Sequence, residues 1–187
     1  MNASPYWSDH FLVAMPNLQD PNFAHTVTYL CQHSEDGALG IVINRPTAMR
    51  LGEILRQMDI ISSAPAVNDI PIYAGGPVQP ERGFVIHSPD TIWDSTLVIS
   101  PQIALTTSRD VLEALARSEG PRKVLIALGY AGWGGGQLEQ EMINNAWLIT
   151  PSAGSILFDT PVSERWSKAA SQLGINITQL TAPAGHG

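Results

Sequence analysis

Five of the eight residues from Gly129 to Gly136 are glycine, in the run Gly129-Tyr130-Ala131-Gly132-Trp133-Gly134-Gly135-Gly136. A chain concentrates glycine in this way where its backbone must bend sharply or be approached closely by another group. The apolar run Val124 to Leu128 before it reads as a buried strand, and Gln137 to Asn145 after it reads as a helix. Strand, glycine loop and helix in that order resemble a phosphate cradle. Yet no Gly-Lys-Ser/Thr closes the loop, and the spacing does not give Gly-x-Gly-x-x-Gly. Glu139 and Glu141 fall in the first turns of the helix, where carboxylates complement the positive end of the dipole and oppose a bound phosphate. Three readings stand: a tight structural loop with its own capping acids, a binding loop for a neutral, cationic or peptide-like ligand, and a phosphate site.

The rest of the chain is ordinary in size and unusual in charge. At 187 residues and 44% apolar composition it is expected to bury one core, giving a single domain over residues 1–187. The formal charge of −7 repels nucleic acid, and the ten Lys and Arg are scattered without a basic stripe, which disfavours direct nucleic-acid binding. The start, Met1 to Trp7, lacks a basic segment followed by an apolar core, and no run approaches the roughly 20 apolar residues that cross a bilayer. Cytoplasmic residence without membrane insertion is the expectation. A lone cysteine forms neither an internal disulfide nor a thiolate metal site.

Strands are expected at Phe11–Met15, in a hairpin of Thr26–His33 and Ala38–Asn44, and at Ile70–Ala74, Phe84–His87, Thr96–Ile99 and Trp147–Ile149. Asp20-Pro21 starts a brief helical turn. Leu51, Ile54, Leu55 and Met58 make one apolar stripe on a helix, and Ser62 to Asp69 reads as a loop. Thr107 with Asp110 opens a second helix, and Pro161 opens a last one that ends at Gly174, with Pro183 to Gly187 frayed. Hairpins early and β-α-β alternation late predict an α+β fold with a mixed sheet flanked by helices.

Candidate chemistry is sparse. Cys31 and His33 alternate onto one face of the hairpin strand with Val27 and Tyr29, so an imidazole there would activate the thiol. The same position suits an inert core cysteine or a redox-responsive thiol. His10, His25, His33, His87 and His186 show no metal-ligand spacing, so no metal and no cofactor are expected. Glu141 and Asn145 share a helical face after the Gly132-Trp133-Gly134 bend, and a cleft combining backbone groups of the loop, Trp133, Glu141 and Asn145 is one reading. The other is that Trp133 and Trp147 are core or anchoring aromatics, with those polar groups bonded to neighbouring backbone. Asn44-Arg45-Pro46 closes the hairpin, with Arg45 either paired within the fold or clamping a ligand carboxylate. His87 ends an apolar strand or lines a cleft.

Longer patterns carry a resemblance. Gly129-Tyr130-Ala131-Gly132-Trp133, Gly136-Gln137-Leu138-Glu139 and Asn145-Ala146-Trp147-Leu148 combine with Gly40-Ile41-Val42-Ile43-Asn44-Arg45-Pro46, Gly75-Gly76-Pro77-Val78 and Arg82-Gly83-Phe84-Val85-Ile86-His87. Together they resemble the signature of the YqgE/AlgH family of bacterial proteins. The resemblance implies a bifurcated, barrel-like curled sheet. It brings a label of transcriptional regulators without a settled biochemical activity. The reading is a binding protein without catalytic turnover, taking a small ligand or a protein partner and touching transcription indirectly. Its candidate ligand residues are Asn44, Arg45, His87, Gly132, Trp133, Gly134, Gln137, Glu141 and Asn145. The alternative is a thiol-dependent redox sensor or enzyme using Cys31 and His33.

Overall fold

In the computed structural model, which describes residues 6–181, the glycine run is for the most part a strand. The segments Met1–Pro5 and Ala182–Gly187, the latter including the expected frayed end Pro183–Gly187, lie outside the described residues. Ten strands form one sheet: β1 (His10–Ala14), β2 (Val27–Ser34), β3 (Gly37–Val42), β4 (Pro46–Arg50), β5 (Pro71–Ala74), β6 (Val78–His87), β7 (Thr96–Ser100), β8 (Ile103–Thr106), β9 (Val124–Gly134) and β10 (Trp147–Pro151). The helices are α1 (Leu51–Gln57), α2 (Pro65–Asn68), α3 (Arg109–Ala116), α4 (Gln137–Ile143) and α5 (Val162–Ser171). The sheet runs β10-β1-β2-β3-β9-β6-β8-β7 and is antiparallel except where β5 joins β9 in parallel. It curls into a half-barrel, the α+β architecture expected from the sequence. None of the helices described is long and apolar enough to cross a membrane.

β9 is the hinge of this arrangement. One of its edges pairs with β6, while the other pairs first with β5 through Ile126–Leu128 and then with β3 through Ala131–Gly134. The sheet forks between those two partners, at Gly129. Gly129 has φ +80°, and a Cβ there would stand 2.5 Å from the Gly76 carbonyl oxygen. Gly75 bridges the fork by donating to the Leu128 carbonyl and accepting from Val42 N–H, each at 2.8 Å. The loop expectation is thereby corrected: Gly129, Gly132 and Gly134 lie within β9, Gly129 alone being closely approached by other backbone, and the chain turns at Gly135-Gly136 before α4.

Three cores follow from the fork. Phe11, Val13, Tyr29, Ile41, Phe84 and Ile86 fill the face shared by both arms, closed by Ala169 and Ala170 of α5. On the opposite face, α4 covers the first arm through Leu138, and α1 and α3 cover the second through Leu51, Leu55, Val111 and Leu115. Strands β4 and β8 and the short α2, within the segment read as a loop, were not expected. β4 has an alternating, half-exposed pattern and β8 is only four residues long, so neither gives a clear periodic signal. The expected helix start at Thr107 shifts to Ser108, which donates to Asp110 at 2.6 Å.

Candidate functional site

Around the glycine strand, the polar residues are tied to one another. Glu141 Oε1 accepts from the indole N–H of Trp133 at 3.0 Å and of Trp147 at 2.9 Å. Its Oε2 accepts from Gln137 at 3.0 Å, and Gln137 in turn accepts from Gly134 N–H at 3.0 Å. The two tryptophans are buried, and their N–H groups require a partner there. Asn145 does not join this cluster. α4 ends at Ile143, and Asn145 is exposed with φ +59°, so the shared helical face expected from its spacing does not exist. Gly132 and the Trp133 backbone strand border an open cleft with Gln32, Leu39 and Tyr130.

Asn44 and Arg45 are occupied in the same way. Asn44 accepts from Val27 N–H and donates to the His25 carbonyl, both at 3.0 Å. Arg45 donates to the carbonyls of Asn22 at 2.7 Å and Ala24 at 2.9 Å. These bonds fasten the turn opened by Asp20-Pro21 to the hairpin; they are neither of the ion pairs expected for Arg45.

Cys31 and His33 are not brought together. A bulge interrupts the β2–β3 register between Leu30 and Gln32, and one extra residue turns His33 to the other face. Cys31 packs with Tyr29 and Ile41 in the shared core, where burial pushes its thiol well above the ordinary range. His33 sits on the α4 side. Its Nδ1 accepts from Trp7 N–H at 2.9 Å, so the ring proton lies on Nε2, which donates to Glu139 at 3.2 Å. The Trp7 ring stacks on it at 5.2 Å. The thiol reading thus loses both its activating base and an accessible nucleophile.

His87 is fully buried at the end of β6. Its Nδ1 faces the Ser88 carbonyl at 2.7 Å, which can only accept, so Nδ1 carries the proton. Nε2 then accepts from Thr106 at 2.7 Å, Thr106 meets Thr96 at 2.7 Å, and Thr96 accepts from Trp93 N–H at 2.8 Å. Desolvation lowers the His87 pKa from its ordinary 6.5, outweighing the Ser88 bond and the Asp90 charge.

The Thr106 end of this chain borders a feature the sequence did not disclose. Between α1, α3 and the sheet lies a cavity of about 530 Å³, largely apolar, with Ile54, Met58, Leu112, Val85, Ile126 and Leu128 in its wall. Gln57, Ser108, Arg109 and Glu81 reach its polar margin. Its size falls within the range of small-molecule sites. The one sequence signal for it is the stripe of α1: Leu51 and Leu55 are buried, whereas Ile54 and Met58 of the same stripe stay half-buried against the void. Among the described residues no group of three or more His, Cys, Asp and Glu is placed to hold a metal ion.

Comparison with known proteins agrees with this architecture. The chain is 56% identical to a UPF0301 protein of Methylococcus capsulatus and 55% identical to one of Thioalkalivibrio sulfidiphilus, each over the full length of both chains. The solution structure of the AlgH protein from Pseudomonas aeruginosa superposes with a TM-score of 0.81 at 51% identity, covering 100% of both chains. A crystal structure from Corynebacterium diphtheriae shares the fold at a TM-score of 0.74 and 17% identity, over 98% of this chain and 95% of that one. With the AlgH-like family model matching residues 11–178, the chain belongs to the AlgH-like family.

Proposed function

We propose that this protein binds a small molecule with an apolar body in the cavity between α1 and α3, without turning it over. The cavity itself carries the reading: about 530 Å³ of mostly apolar space remains open beside a core that is otherwise closely packed. The polar residues near the glycine strand support it from the other side, because their hydrogen bonds are spent on the fold. Any effect on transcription passes through a protein partner in the cytoplasm, since a formal charge of −7 opposes direct contact with nucleic acid.

Thermal melting of the pure protein against a panel of apolar and amphiphilic small molecules tests this. A ligand at 100 times its dissociation constant stabilises by about 2.7 kcal/mol, a shift of roughly 5–11 °C for a domain of this size. The expected result is a hit that disappears in Met58→Trp, whose larger side chain occupies the cavity. A hit unaffected by that substitution, or silence across the panel, overturns the proposal.

A further inference from the structure

The charges on the cavity margin select among ligands. Two charged side chains border the cavity, Glu81 and Arg109. Arg109 is already paired, its Nε lying 3.2 Å from Glu113. Glu81 is exposed at the cavity mouth and has no hydrogen-bond or ion-pair partner among the described residues. Its neighbour Arg82 gives it none, because that guanidinium sits over the Phe84 ring at 5.2 Å. The margin therefore carries an unpaired, exposed carboxylate and a guanidinium that already has a carboxylate partner.

An anionic head fits this margin poorly. The start of α3 presents Ser108 and Arg109, but Asp110 accepts there from Ser108 and from Asp94 N–H, and Glu113 offsets Arg109. The wider field has the same sign, at a formal −7 for the chain. The apolar wall includes Met49 and Met58, whose flexible, polarizable side chains adapt to ligand shape.

We propose, resting on the binding reading above, that the cavity takes an organic cation: an amine or ammonium group at Glu81 on an apolar body that fills the space between α1 and α3. Titration calorimetry of the full chain with octylammonium, octanol and octanoate holds the body constant and changes only the head. The expected order is octylammonium first, by about tenfold over octanol, the equivalent of roughly 1.4 kcal/mol, with octanoate weakest. In Glu81→Gln the ammonium advantage disappears while octanol binding is unchanged. Met58→Trp and, independently, Leu112→Phe weaken all three.

Equal affinity for octylammonium and octanol, or an ammonium advantage that survives Glu81→Gln, overturns the cation class and leaves the cavity as a binding site. Absence of binding by all three overturns both. Binding that neither cavity-filling substitution alters overturns the location.

Discussion

His87 and Cys31 show one physical cause acting in opposite directions. Both are buried, and burial disfavours whichever form is charged, so the imidazole pKa falls and the thiol pKa rises. For the thiol this has no effect near neutrality, because the protonated form is the one already present. For the imidazole it does. As pH falls below 6.5, the unfolded chain takes up a proton at His87 that the folded chain resists, so stability declines with falling pH. This contribution is absent above that value, where both states are neutral. Urea midpoints taken at about pH 7.5 and about pH 5.5 are expected to drop more in the wild type than in His87→Gln. An equal drop in the two proteins removes His87 from the account.

Among the elements, β9, α4 and β10 are held together by Glu141. One carboxylate oxygen receives the indole N–H groups of two strands, and the other is held by Gln137 one helical turn away. Glu141→Ala leaves two indole donors without their acceptor in buried tryptophans and is expected to cost about 2–3 kcal/mol in urea denaturation. Glu141→Gln keeps an acceptor oxygen and is expected to cost about 1 kcal/mol. A loss below that in the alanine variant would show that water replaces the carboxylate. The elements that were legible in the sequence are those with a strong period or a strong start: the apolar stripe of α1, the strand β2, and the helix opened by Pro161, which ends at Ser171, three residues before the expected Gly174. β9 was legible for five residues of its eleven, because a glycine-rich segment reads as a loop when the strand that pairs with it, here β3, is distant in sequence. The bulge at Cys31 was invisible for a related reason, since strand alternation carries no mark of an extra residue opposite β3. Glu141 was read from the sequence as a candidate ligand residue, and the structure shows its carboxylate bonded to Trp133, Trp147 and Gln137. Its spacing did not disclose that its carboxylate is bonded to two tryptophans, one on each flanking strand. The cavity left no trace beyond the two half-buried positions of α1, because a void is made by residues that do not meet.

At the scale of the molecule the fork at Gly129 determines the shape, and two glycines of the same run separate its causes. Gly129 and Gly136 have nearly equal φ, +80° and +79°, but a Cβ at Gly136 meets nothing within 4 Å whereas one at Gly129 meets backbone at 2.5 Å. Gly136→Ala is expected to cost the left-handed conformation alone, about 1–2 kcal/mol. Gly129→Ala adds overpacking of roughly 1–3 kcal/mol, measurable as a lower urea midpoint or as failure to fold. Equal losses would mean that the arms of the sheet separate without resistance. The same fork has a consequence during synthesis. β3, β5 and β6 are all translated before β9, and each needs β9 as a neighbour. At about 5–20 residues per second, the edge of β3, complete at residue 42, waits roughly 4–16 s before residue 124 is even made, and those of β5 and β6 wait less. During that interval the nascent protein is a set of open strand edges, and it depends on whatever shields them until its central strand leaves the ribosome.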